Sequence, residues 1–200
     1  MSRLTHYLFS FAATAAVFIL APVAGAQNLA DGIQGFWPFD EGAGDTTEDL
    51  SGNGRNGVFT WGEPMWVEGK VGGALYFDNQ SGVEIPDYYG IGGATPRTIS
   101  AWVKTDVAIP NGNTVLVGWG LNQSGRRWHF KFEHTTQGIR TENQSGQNFT
   151  EDVTVSDGEW HHIASVLPDG GTTIGDVRLY VDGVYYPISG RANGAQTIDT

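Results

Sequence analysis

The chain has 200 residues, 29 of them glycine, with no cysteine and a formal net charge of −11. Hydrophobic residues make up 40 % and charged residues 16 %, the latter against a typical ~25 %. This composition disfavours a helical bundle or coiled coil. The acidic balance excludes a phosphate-backbone binder, which needs clustered Lys and Arg, and the lack of cysteine excludes a disulfide scaffold, a thiolate zinc site and a cysteine nucleophile.

Residues 1–26 read as an export leader. Arg3 supplies positive charge, Leu8 to Ala21 is an almost unbroken apolar run, and Ala24-Gly25-Ala26 has the A-x-A cleavage pattern. The run is shorter than the ~20 residues a membrane span needs, and no later stretch is long enough, so no span is expected after cleavage. The expected location is secreted or at the cell surface. Residues 27–200 read as one domain.

Along that domain, short bursts of apolar alternation lie between turn signals. The first expected strand is Ile33 to Asp40. Ala74 to Asp78 and Val83 to Ile85 follow, then Thr98 to Thr105, where Ile99, Ala101 and Val103 alternate with Ser100, Trp102 and Lys104. Thr114 to Trp119, Arg127 to His134, Trp160 to Leu167 and Val177 to Asp182 complete the set. The turns include Gly72-Gly73, Asp169-Gly170-Gly171 and Asp182-Gly183. Many short strands at this spacing imply an antiparallel two-sheet sandwich. Four N-x-S/T sequons stand at Asn79, Asn122, Asn143 and Asn148.

Several of these pieces occur in a specific order. Gly35-Phe36-Trp37-Pro38-Phe39-Asp40-Glu41-Gly42 precedes Asp49-Leu50-Ser51-Gly52-Asn53-Gly54 and Gly73-Ala74-Leu75-Tyr76-Phe77-Asp78. Thr98-Ile99-Ser100-Ala101-Trp102-Val103, Asp157-Gly158-Glu159-Trp160-His161-His162-Ile163-Ala164 and Leu179-Tyr180-Val181-Asp182-Gly183 follow. The series resembles laminin-G-like, concanavalin A-like jelly-roll domains. That resemblance implies an all-β fold of two antiparallel sheets packed face to face. It also implies further strands after the last hairpin. Val184 to Thr200 contains no complete closing segment, so the C-terminal strands are expected to be missing.

The candidate chemistry is limited. His161 and His162 are adjacent, and neighbouring strand side chains point to opposite faces, so one ion cannot easily take both. Asp49-Leu50-Ser51-Gly52-Asn53-Gly54 places oxygen side chains at positions 1, 3 and 5 before a glycine, like the opening of a calcium loop. Asp40 and Asp78 are the carboxylates that would complete it. The same spacing also suits an Asx turn, in which Asp49 and Asn53 bond their own backbone. Calcium accompanies laminin-G-like domains, so the resemblance makes it the expected cofactor. No E-x-D-x-E strand motif, G-x-S-x-G elbow or phosphate loop is present. Trp119, Trp128, Tyr185 and Tyr186 lie near turns or strand ends and are the candidate platforms for sugar rings. The resulting expectation is a non-catalytic exported module that binds a carbohydrate or cell-surface glycan. The alternatives are an adhesive or structural domain with an extracellular protein partner, and the accessory part of a larger glycoside hydrolase.

Overall fold

A computed structural model describes residues 7–10, 31–78, 80–111, 114–187 and 190–200. Most of the expected leader, including the cleavage motif, and the Asn79 sequon lie outside the described residues. The chain divides into two compact units, Leu8–Asp87 and Tyr88–Thr200, the second taking Met1–Tyr7 as well. Among the described residues the structure is all-β, with one short 3-10 turn at Ile174–Asp176.

The Leu8–Asp87 unit begins within β1 (Tyr7–Ser10), which falls inside the segment read as a leader. It contains β2 (Thr46–Thr47), β3 (Gly57–Trp61), β4 (Met65–Glu68), β5 (Gly73–Phe77) and β6 (Gly82–Glu84). β2, β3 and β6 form one antiparallel sheet, and β4 and β5 form a hairpin whose Gly69 N–H donates to the Gly72 carbonyl. Ala74 and Leu75 are fully buried.

The expected first strand, Ile33 to Asp40, is not a strand. Pro38 offers no N–H to a ladder, and Phe39 sits at φ 61°, outside the β region. The segment is held by side chains instead. Phe36 N–H donates to Asp49 Oδ1 at 2.9 Å, and the Trp37 indole donates to the Arg55 carbonyl at 2.7 Å.

The Tyr88–Thr200 unit is a sandwich. One sheet holds, in spatial order, β14 (Val184–Tyr186), β13 (Arg178–Val181), β12 (Trp160–Leu167) and β7 (Arg97–Lys104). The facing sheet holds β15 (Gly190–Ala192), β11 (Gln147–Phe149), β10 (Ile139–Glu142), β9 (Arg127–Phe132) and β8 (Val115–Gly120). β12 and β7 pair antiparallel over their full length, from Trp160 opposite Lys104 to Leu167 opposite Arg97.

The period of two decides what meets in the middle. Ile163, Ser165 and Leu167 from β12 and Ala101 and Val103 from β7 are buried, as are Trp128, Phe130 and Phe132 from β9. Each large apolar side chain buried this way stabilises by about 1.5–3 kcal/mol. One pair of hydroxyls meets between the sheets. Thr141 Oγ1 on β10 meets Ser165 Oγ on β12 at 2.6 Å. The β13–β14 hairpin turns on Asp182 and Gly183, at φ 51° and 78°, the left-handed pair that matches strand twist in a two-residue loop.

Candidate functional site

The sequence-derived metal set lies in the Leu8–Asp87 unit, and its oxygens are occupied by backbone donors. Asp49 Oδ1 accepts from Phe36 N and Ser51 N, both at 2.9 Å, and Oδ2 accepts from Arg55 N at 3.0 Å. Burial alone raises the Asp49 carboxyl, but these bonds and the Ser51 hydroxyl outweigh it and hold it below its ordinary value. Asp40 Oδ1 accepts from Gly73 N at 2.6 Å and Asp78 Oδ1 from Gln80 N at 3.0 Å. The Asn53 amide nitrogen faces the carbonyls of Ile33 and Gln34 and the Ser51 hydroxyl. Calcium needs six to eight converging oxygens. These residues do not fit that demand, because they surround Asp49 with N–H donors and turn the Asn53 nitrogen inward. Among the described residues no three His, Asp or Glu side chains gather as a metal site. Asp49 forms the Asx turn, through Ser51 N, whereas Asn53 bonds the distant Ile33 and Gln34 carbonyls.

The aromatic set divides. Trp128 is fully buried, so it leaves the list of candidate platforms: β9 alternation points it into the core. Trp119 stacks on Trp128, with ring centroids 5.9 Å apart and planes 13° apart. Its indole N–H donates to the Ile91 carbonyl at 3.2 Å, and a methyl group at Gly90 would press on its pyrrole ring. Arg97 lies over both rings, 4.9 Å from Trp128 and 5.7 Å from Trp119. These contacts make Trp119 a packing ring. Tyr185 is 46 % exposed and leans on Tyr180 across the hairpin, with centroids 5.5 Å apart. Tyr186, beside it, is half-buried.

Tyr185 edges a depression of about 490 Å³, whose lining includes Asp169, Gly170, Asp176, Arg178 and Pro187. The turn after β12 supplies Asp169 and Gly170, the 3-10 turn supplies Asp176, and β13 supplies Arg178. Asp176 Oδ2 is taken by the Thr172 and Thr173 backbone N–H groups and the Thr173 hydroxyl, at 2.8–3.0 Å. An exposed tyrosine, acidic and basic residues and glycines thus border one concave surface. Neither Asp169 nor Arg178 carries a sequence mark of a site, although the Asp169-Gly170-Gly171 turn was legible.

A second cluster, unmarked in the sequence, lies on the facing sheet. Along β9, Arg127, His129, Lys131 and then Glu133 occupy the face away from the core, and pairing with β10 sets Arg140 and Glu142 beside them. Glu142 accepts from Arg127, and from Lys131 at 3.2 Å, and lies 3.5 Å from Arg140. Arg140 also reaches Glu133 at 3.1 Å. Burial pushes the Glu142 carboxyl up, but Lys131, Arg140 and Arg127 outweigh it and hold it below the usual range. That is the reverse of what a glycosidase acid requires. Burial and the Arg127 charge push His129 down to about 4.

A model of the concanavalin A-like lectin/glucanases superfamily matches residues 77–199, more than half of the chain. The chain belongs to this superfamily. The match covers the sandwich, the Tyr185 depression and the charged face of β9 and β10. No curated protein and no solved structure matches the chain. No helix among the described residues is long and apolar enough to cross a membrane. Superfamily membership accounts for the facing sheets, but the fold itself hosts many activities, so function has to be argued from the depression.

Proposed function

We propose that the Tyr88–Thr200 unit is a carbohydrate-recognition module of an exported protein and that it binds a neutral glycan in the Tyr185 depression. The observation that carries this reading is the exposed Tyr185 at the edge of an open, polar, concave surface of about 490 Å³ that Asp169 and Arg178 also line. The apolar C–H face of a sugar stacks on such a ring. Asp169 accepts hydroxyl hydrogens and Arg178 donates to hydroxyl oxygens. The net charge of −11 favours a neutral ligand over a polyanion. Membership of a lectin and glucanase superfamily supports the same class of ligand.

The test is retention of the protein on a panel of neutral polysaccharides, followed by titration with the best oligosaccharide. Wild-type protein should bind with little dependence on salt. Tyr185→Ala should weaken binding at least fivefold and Asp169→Asn by a smaller factor. Tyr185→Ala should cost less than about 1 kcal/mol of stability, the scale of one cross-strand ring pair. If the folded wild type binds no neutral glycan across the panel, the reading fails and the adhesive protein-interaction alternative takes its place.

A further inference from the structure

Three of the four sequons fall among the described residues, and the structure separates them sharply. Asn143 and Asn148 are fully buried. Asn143 closes the turn between β10 and β11: its Oδ1 accepts from Gly146 N at 3.0 Å and its Nδ2 donates to the Thr197 carbonyl at 3.0 Å. Asn148, on β11, donates from Nδ2 to the Ile174 carbonyl and lies 3.5 Å from that of Val177. In both residues the nitrogen that would carry a glycan is committed to a backbone carbonyl, that of exposed Thr197 for Asn143 and that of buried Ile174 for Asn148. Asn122 differs. It sits in the exposed loop between β8 and β9, with exposed Gln123 and Ser124 completing its sequon. Its side-chain oxygen accepts from Arg127 at 2.7 Å, the residue itself is exposed, and the Ser124 hydroxyl of the same sequon meets Ser145 Oγ and Gln196 Oε1.

We propose that Asn122 is an N-glycan acceptor site and that the folded state bars modification at Asn143 and Asn148. In the transfer, the Asn122 amide nitrogen attacks C1 of the first sugar of a lipid-pyrophosphate-linked oligosaccharide. The C1–O bond to the pyrophosphate breaks, an N–C1 bond forms, the amide nitrogen loses one proton to a base of the transferase, and the lipid pyrophosphate leaves. The same step at Asn143 or Asn148 would put a bulky hydrated group on a fully buried side chain whose nitrogen now meets a backbone carbonyl, which the folded unit does not accommodate. Two sequons therefore act as a folding veto wherever glycan is added before the chain folds.

Purified single-subunit oligosaccharyltransferase and a lipid-linked oligosaccharide provide the test, with glycopeptide mass spectrometry as the readout. The folded, bacterially made full chain should be modified at Asn122 and bare at Asn143 and Asn148. The urea-unfolded chain, diluted into the same reaction, should be modified at all three. Folded protein bare at Asn122 while the unfolded chain is modified there overturns the acceptor assignment. Glycan at Asn143 or Asn148 in molecules that keep the native melting transition overturns the veto. In a secreting host that glycosylates before folding, native molecules recovered from the medium should carry no glycan at either buried position.

Discussion

The two charge clusters of the Tyr88–Thr200 unit use similar residues in opposite ways. On one sheet, Glu142 is surrounded by Arg127, Lys131 and Arg140, whose side chains are 17 %, 6 % and 10 % exposed. On the other, His161 on β12 is clamped between Asp182, 2.8 Å from Nδ1, and Asp157, 3.0 Å from Nε2, and those two carboxylates are 48 % and 43 % exposed. The first cluster lies among paired strands with little water. The second closes the end of a sheet against a hairpin turn and a loop. Removing one partner of a buried ion network leaves uncompensated charge in low dielectric and costs several kcal/mol, whereas an exposed pair contributes ~0–1 kcal/mol.

The clusters also set their histidines in opposite directions. His129 is pushed down to about 4 by burial and then by Arg127. Burial also depresses His161, but Asp182 and Asp157 outweigh it and its pKa is raised above the ordinary 6.5. Below pH 6.5 the unfolded chain takes a proton that folded His129 refuses, so stability falls as pH drops toward 4. The His161 clamp has the opposite sign. Its contribution is fully present below pH 6.5 and is lost as pH rises through the folded value.

Breaking the buried cluster should have the largest effect. Glu142→Gln keeps the shape, leaves Arg127, Lys131 and Arg140 without their shared carboxylate, and should cost roughly 3 kcal/mol in urea unfolding at pH 7. A loss under about 1 kcal/mol would place this network with ordinary surface pairs. Next comes the acid limb. Between pH 6.5 and 4 the His129 contribution to stability should fall by roughly 2 to 3 kcal/mol, and His129→Gln should flatten that slope in chemical unfolding measured at several pH values. The smallest effect belongs to the clamp. Asp182→Asn should cost about 0.5–1 kcal/mol near pH 6 and much less at pH 8. An equal cost at both pH values would mean that Asp182 acts through its turn and its bond to the His162 N–H, 2.8 Å long, rather than through the imidazolium.

Much of this fold was legible in the sequence. Short apolar or alternating segments locate β5, β7, β8, β9, β12 and β13, and Asp182-Gly183 predicts the hairpin turn. β10 and β11 were not legible. Ile139–Glu142 and Gln147–Phe149 are short and polar, and they are strands because antiparallel neighbours supply their ladders. Ile33 to Asp40 failed in the other direction. Its apolar run resembles a strand, but Pro38 and the left-handed Phe39 give it to the Asp49 turn. The aromatic candidates were found by type, and only Tyr185 meets the depression. Trp128 carries no local mark of being a core ring, because either face of β9 could have been the inner one.

By itself, the sequence determined the class of fold. Alternation, glycine-rich turns and the absence of a helical period leave only strands that must bury one face, and two sheets do so against each other. Tertiary structure alone decided which polar atoms face water. Asn122 and Asn148 are the same residue in the same kind of motif, yet one lies in a loop and the other donates to carbonyls in the core. Asp49 was free to bind an ion or its own backbone, and the chain path past Phe36, Ser51 and Arg55 supplied three N–H donors first. The physical reason is common to all of these. Side-chain type sets what a group can bond, but its partners come from distant residues, and only the packed chain determines which of them arrive.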